Sequence, residues 1–218
     1  MTPATFVTEE SAIVVDGVPV AARAATRLWR LHKKRGLIAT HRDPEGRPTM
    51  FDALPKHLPR VISVGRLDIE SEGLVLLTND GALARHLELP STGWTRRYRV
   101  RVFGKPDKDA LAKLANGVTI DGVRYGPVTA AIDRAEGSNA WLTVSIKEGK
   151  NREVRKLMEH LGLQVNRLIR VAFGPFQLGN LAAGAVAEVS RAVIAEQIGA
   201  EWAGVSAEKT ARHARRRG

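Results

Sequence analysis

Residues 95–103 alternate so strictly that one backbone form suits them: Tyr98, Val100 and Val102 fall on one side, and Arg97, Arg99 and Arg101 on the other. A period of two belongs to an extended strand, so this run predicts a strand with one buried and one cationic face. In a helix, residues two apart point about 200° away from each other, and the three apolar side chains could not share a core. Such a strand needs neighbours for its backbone and a layer over its apolar side, so it is the seed of a sheet rather than a free ribbon.

The chain can supply that layer. Of its 218 residues, 44% are hydrophobic, enough for a sizeable core in one domain or two small ones. There is no cysteine, which excludes a disulfide framework, a thiolate metal site and a cysteine nucleophile, and fits a reducing compartment. No apolar run approaches the roughly 18 residues of a membrane span, and the first cation is Arg23, which argues against a signal peptide with a positive n-region. A soluble, cytoplasmic protein with no membrane partner is expected, and a monomer.

Lys and Arg number 34 against 23 Asp and Glu, a net charge of +11. The first 22 residues hold Glu9, Glu10 and Asp16 and no cation, so the positive excess lies wholly beyond them. It gathers in residues 23–60, with ten cations against three acids, in the stretch from Lys147 to Arg170, and in the tail that ends Arg215-Arg216-Arg217. A polyanion explains such a distribution, because each cation set on a phosphate releases condensed counterions. From about Ala207 the tail has nothing to pack and reads as a disordered basic extension.

Several elements follow from local pattern. Ile13 to Val20 reads as a hairpin around Asp16-Gly17. Strands are expected at Arg27 to His32, Leu37 to Thr40, Val61 to Val64, Leu74 to Thr78, Val118 to Val123, Pro127 to Asp133, Ala140 to Lys147 and Val165 to Phe173, with a turn-rich loop from His41 to Pro48. Asn79-Asp80-Gly81 caps a helix over Ala82 to Leu89 that Pro90 stops, and Lys105-Pro106-Asp107 opens another over Lys108 to Ala115, closed by Gly117. Asn151 is expected to cap a third, whose Val154, Leu157, Met158 and Leu161 form one apolar stripe ending at Gly162. Strands outnumber helices and often succeed one another directly, so the fold class is α+β, with a mixed, mostly antiparallel sheet and flanking helices.

Three clusters bear chemistry. The first, Val64 to Asp80, sets Arg66 and Asp68 in a loop between two apolar strands, where Asp68 reads as a loop cap or as a working carboxylate. In the second, Tyr98 reads either as a core tyrosine with its hydroxyl bonded or as a stacking platform for a nucleobase. In the third, Glu148 to Leu157, the helix carries Arg152, Arg155 and Glu159 on one face. That face is either solvated, or turns one arginine into a cleft to hold a carboxylate while the cationic first turn, with Lys150 and Asn151, meets phosphate.

Taken in order, Gly65-Arg66-Leu67-Asp68, Glu72 to Gly81, Arg97 to Val100, Glu148 to Lys156, Arg167 to Val171 and Gly174-Pro175 resemble the motifs of the RsuA-type ribosomal RNA pseudouridine synthases, a group that includes the large-subunit synthases B, E and F. The resemblance runs from about Leu28 to Leu181 and implies the pseudouridine synthase fold with a central RNA-binding cleft. It also implies that Asp68 is the essential aspartate, that Tyr98 stacks beneath the target base, and that Arg155 pairs with the aspartate. Arg66 would hold RNA with the target nucleotide flipped out, and Leu168 and Ile169 would line the base pocket. Arg97 stands where such enzymes often have Lys, and Lys150 and Glu153 stand where Arg and Gln are common. Residues 7–20 resemble only the final hairpin of the family's small N-terminal RNA-binding domain, so the expected organisation is a remnant or linker at 1–22, a catalytic domain at 23–200 and the basic tail at 201–218. Residues Thr40 to Pro59 and Leu87 to Thr95 look closest to the B type, which implies ribosomal RNA of the large subunit, or a pre-ribosomal particle, as partner.

The implied reaction moves the uracil link from nitrogen to carbon-5 with no net redox change, so no cofactor and no metal are expected. A carboxylate must approach the nucleoside, whether it attacks the anomeric carbon, adds to the uracil ring or removes a sugar proton. Alternatives from other classes are a small-subunit target, and a non-catalytic ribosome-assembly factor in which Asp68 and Arg155 form a structural ion pair. A metal-dependent nuclease is disfavoured, because the six His residues are scattered.

Overall fold

The structure is a computed structural model that describes residues 14–19 and 24–203. Strands β1 (Val14–Val15) and β2 (Val18–Pro19) form the expected small hairpin, with Asp16 and Gly17 both at positive φ as a primed turn requires. Its expected ends at Ile13 and Val20, and the tail beyond Ala203, lie outside the described residues.

The rest is built on one nine-stranded sheet. Its strands are β3 (Leu28–Lys33), β4 (Ile62–Val64), β5 (Glu72–Thr78), β6 (Arg96–Phe103), β9 (Val128–Glu136), β10 (Asn139–Ile146), β11 (Gln164–Phe173), β12 (Phe176–Gln177) and β13 (Val186–Val189). The main order is β13-β3-β5-β11-β6-β10-β9, with β4 beside β5 and β12 beside β11. The β5–β11 pair is parallel and the other pairings are antiparallel, which is the mixed, mostly antiparallel sheet that the sequence predicts.

The sheet has two apolar layers, and they cover different halves. On one face Trp29, Leu31, Val75, Val100, Val102, Leu142 and Val144 meet helix α3 (Glu153–His160) and helix α2 (Lys108–Lys113). On the other, Leu28, Leu74, Leu76 and Phe173 meet α1 (Gly81–Glu88) and α4 (Arg191–Gln197). Asp80 caps α1 by accepting from the Ala82 and Leu83 amides, and Asp107 caps α2 in the same way.

Several local expectations change. Leu37 to Thr40 makes only a single bridge, Ile38 to Thr49, because the intervening turn folds on its own contacts, with Asp43 accepting from the amides of Glu45 and Arg47. Val118 to Val123 is not one strand but the hairpin β7 (Val118–Ile120) and β8 (Val123–Tyr125), since Asp121 and Gly122 turn the chain back at positive φ. Helix α3 is not capped by Asn151. Arg152 holds the cap position in a left-handed conformation, and the Glu153 carboxylate instead accepts the Lys150 amide at 2.9 Å. Strand β13 and helix α4, capped by Ser190, add an edge and a cover that local pattern does not announce. Trp202 stacks on His86 and Ala203 is buried, so packed structure continues past residue 200. Among the described residues no helix is long and apolar enough to cross a membrane.

Candidate active site

Strand β6 leads its apolar side into a cleft. A cavity of about 710 Å³ opens between the β4–β5 loop, the loop before α3, and the start of β6, a size within the roughly 300–1,000 Å³ of small-molecule sites. Arg66, Asp68, Tyr98, Lys150, Asn151, Arg152 and Leu168 line it, together with Arg96, Glu153, Arg170 and Phe173. Tyr98 lies on the floor and is 7% exposed.

The loop that carries Asp68 is held by its backbone. The Ser71 amide closes a turn onto the Asp68 carbonyl at 3.0 Å. Three buried cations from three elements then bind carbonyls of the loop and of the strand start that follows it, that of Asp68 included. Lys33, at the end of β3, donates to Asp68 O at 3.0 Å and to Ser71 O at 2.9 Å. Arg155 of α3 donates to Glu70 O at 2.9 Å. Arg170 of β11 donates to Leu74 O at 2.7 Å and reaches Arg66 O at 3.4 Å. A side chain at Gly73 would collide with the Arg170 backbone across the parallel pair, so glycine is what lets β5 and Arg170 approach. Buried carbonyls and buried ammonium or guanidinium groups are each costly alone, and here each satisfies the other.

The Asp68 carboxylate itself forms no hydrogen bond or ion pair among the described residues, and it faces the cleft. The expected Arg155–Asp68 ion pair is therefore not formed. Arg155 is buried behind the loop, away from the cavity lining, because its guanidinium is committed to the Glu70 carbonyl. It still shares a field with Asp68. Burial, then Arg152, lowers its pKa, while Asp68 opposes the shift. Lys33 is pushed down to about 8 by burial, partly offset by Asp68, so it remains charged at neutral pH. Nε of Arg155 and Nη2 of Arg170 are buried without a hydrogen-bond partner among the described residues.

Ile169 does not line the cavity. Adjacent residues of a strand point to opposite faces, and with Leu168 on the cleft side Ile169 lies half-buried on the other, packed against the second apolar layer and opposite Arg99. Lys150 reaches the cleft, but its ammonium is engaged by the Glu148 carboxylate and by Arg124 O at 2.8 Å. Arg66, Asn151 and Arg152 are exposed at the rim.

Four lining or supporting residues go beyond the sequence reading: Lys33, Arg96, Glu153 and Arg170. Arg96 donates to Lys147 O at 2.7 Å and to Trp94 O at 2.8 Å, and its guanidinium lies 4.8 Å from the Phe173 ring, which ties β6 to the far wall of the cleft. Glu153 is nearly sealed from solvent, with one oxygen on the Lys150 amide and the other without a partner among the described residues. Burial pushes its carboxyl up to about 7, with Glu148 beside it adding to the rise. The signal for the three cations is positional: Lys33, Arg96 and Arg170 each occupy the buried register of a strand, in phase with Leu31, Tyr98 and Leu168 respectively.

Comparison with known proteins identifies the fold and the family. An RNA pseudouridine synthase of Rickettsia felis is 45% identical over 194 residues, spanning 89% of this chain and 84% of its own. Ribosomal large subunit pseudouridine synthase B of Yersinia pestis is 42% identical over 177 residues, which cover 79% of this chain and 56% of that protein's length. A crystal structure of a pseudouridylate synthase, 24% identical, superposes with a TM-score of 0.70 over 90% of this chain and 84% of that one, and so shares the fold. The profile of the RNA pseudouridylate synthases matches residues 27–160, the span from β3 to the end of α3 that supplies most of the cleft lining, and the chain belongs to that family of RNA-modifying isomerases.

Proposed function

We propose that this pseudouridine synthase acts on a uridine of large-subunit ribosomal RNA, with Asp68 as the group that engages the nucleoside. The observation that carries the reading is the Asp68 carboxylate itself, open to the cleft while the loop around it is fastened through its carbonyls to Lys33, Arg155 and Arg170. A rigid backbone with a free carboxylate is what a group needs when it must meet a substrate rather than a protein partner. The likeness to synthase B supports the choice of large-subunit RNA.

In the reaction the C1′–N1 bond breaks, the uracil turns, and C1′ bonds to C5; the C5 proton leaves and N1 gains one, so nothing is consumed. Asp68 is the carboxylate that meets the nucleoside, and the three cations behind its loop hold the backbone that carries it without binding the carboxylate itself. Tyr98 offers its ring to the extruded base, offsetting part of the few kcal/mol that unstacking costs and retaining the uracil while it is detached. Arg66, Asn151 and Arg152 at the rim take backbone phosphates, and Leu168 packs against the base. Arg155 acts through the loop, as a positioning residue.

The test is site mapping. Unmodified transcripts of large- and small-subunit RNA are incubated with the protein, and pseudouridine is read position by position. Modification at a defined uridine of the large-subunit transcript is expected; modification confined to the small-subunit transcript would overturn the choice of substrate.

A further inference from the structure

The cleft uses one face of β6, and the opposite face is left open. Arg97, Arg99 and Arg101 stand along it, exposed, about 7 Å apart at two strand residues per step. Arg167 on β11 lies opposite Arg101, and Arg30 on β3 extends the row at the rim. Helices α1 and α4 cover this face only over β3 and β5, so among the described residues nothing covers it over β6, β10 and β9.

The cations are held outward. Arg97 donates to Gln177 Oε1 at 2.7 Å, and Arg30 donates to the same residue's carbonyl at 2.8 Å. Arg99 lies 4.8 Å from the Trp141 ring on the neighbouring strand. Two acids share the face. Asp133 is 3.8 Å from Arg99 in a partly exposed pair of the kind that contributes little and exchanges readily for another anion, and the largely buried Glu72 pairs with Arg167, whose own side chain stays half-exposed.

We propose that this open face is a second RNA-docking surface, one that grips the phosphate backbone of a helical segment other than the one feeding the cleft. Arginines in a row at this spacing match successive phosphates along a strand, and guanidinium groups bind phosphate in a fork. Stacking of unpaired bases is disfavoured because the aromatic ring, Trp141, already carries Arg99 on its face. Recognition is of the backbone and indifferent to sequence, and it places the enzyme on a folded RNA from two sides of one sheet.

The experiment measures binding of the full chain to a fully paired RNA duplex across a range of salt. Such a duplex tests the surface whichever uridine is the substrate, so its result is independent of the assignment above. The variant R97Q/R99Q/R101Q is expected to lower the slope of log affinity against log salt by about two to three, roughly one per lost phosphate contact. The R97K/R99K/R101K variant is expected to restore most of it, and R66Q at the cleft rim to lower it by no more than about one, the single phosphate contact assigned to that residue. The proposal is overturned if the Gln variant keeps the full slope, if the Lys variant fails as the Gln variant does while both melt like the parent, or if R66Q removes the slope instead. A face covered by another part of this chain would give the first of these results.

Discussion

The two faces of β6 use the same residue type for opposite ends. Toward the cleft, Arg96 is 8% exposed and spends its donors on carbonyls of Trp94 and Lys147; on the reverse, Arg97, Arg99 and Arg101 are exposed. Lys33 and Arg170 repeat the buried pattern on β3 and β11. Inward cations therefore shape backbone and set a field, and outward cations remain available to an anion. The difference teaches that the net charge of +11 is not one property. Substitutions in the inward set should alter turnover with little change in the salt dependence of binding, and those in the outward set should do the reverse.

The largest effect short of the aspartate is expected at Lys33. Replacing it with Met takes the side-chain donor from the Ser71 carbonyl and leaves the Asp68 carbonyl with the Ser71 amide alone, and should lower turnover about 100-fold while costing about 1–3 kcal/mol of stability. Denaturant unfolding beside single-turnover kinetics checks both, and an unchanged rate would break the distinction between the faces. Arg155→Ala should follow, with a loss of turnover greater than its loss of stability, since one loop carbonyl depends on it; a variant that unfolds instead would make Arg155 a structural cation.

Glu153 gives a smaller effect with a definite sign. Its carboxyl titrates near 7 in the folded protein because it is buried, against an ordinary value of 4.5. The native state therefore holds a proton that the unfolded chain releases, and unfolding free energy should fall as pH rises from about 4.5 to 7 and stay low above. Glu153→Gln should remove that decline and stabilise the protein by about 1–3 kcal/mol at pH 8. Parallel stability curves for the two proteins would sink the idea. Smallest of all is a single Arg99→Gln substitution. It should leave turnover intact and reduce the salt slope of RNA binding by about one.

Much of this is legible in the sequence. The alternation at 95–103 predicts β6 and both of its faces, Asp80 predicts the start of α1, and the stripe Val154, Leu157, Met158 and Leu161 predicts the buried side of α3. What local pattern could not supply depends on distant chain. β13 is a strand because the edge of β3 is free to pair with it, not because Val186–Val189 has a strong pattern of its own. Arg155 is drawn to the Glu70 carbonyl rather than to Asp68 by a contact 85 residues away in sequence. Lys33, Arg96 and Arg170 could have been found, since a cation on the buried register of an apolar strand demands a partner, but the identity of that partner is tertiary. Ile169 shows the same rule from the other side, because parity alone separates it from Leu168.

The central claim, that the fastened loop exists to present one free carboxylate, is tested most directly by Asp68→Asn assayed for RNA affinity and for single-turnover pseudouridine formation on the same RNA. Asparagine keeps the side chain's size and the loop's carbonyl bonds. The account predicts affinity within a few fold of the parent and a rate lower by at least about 10³-fold, in the range that loss of a nucleophile or general acid–base group costs. Turnover retained within about tenfold, which corresponds to only about 1.4 kcal/mol of barrier, would contradict it.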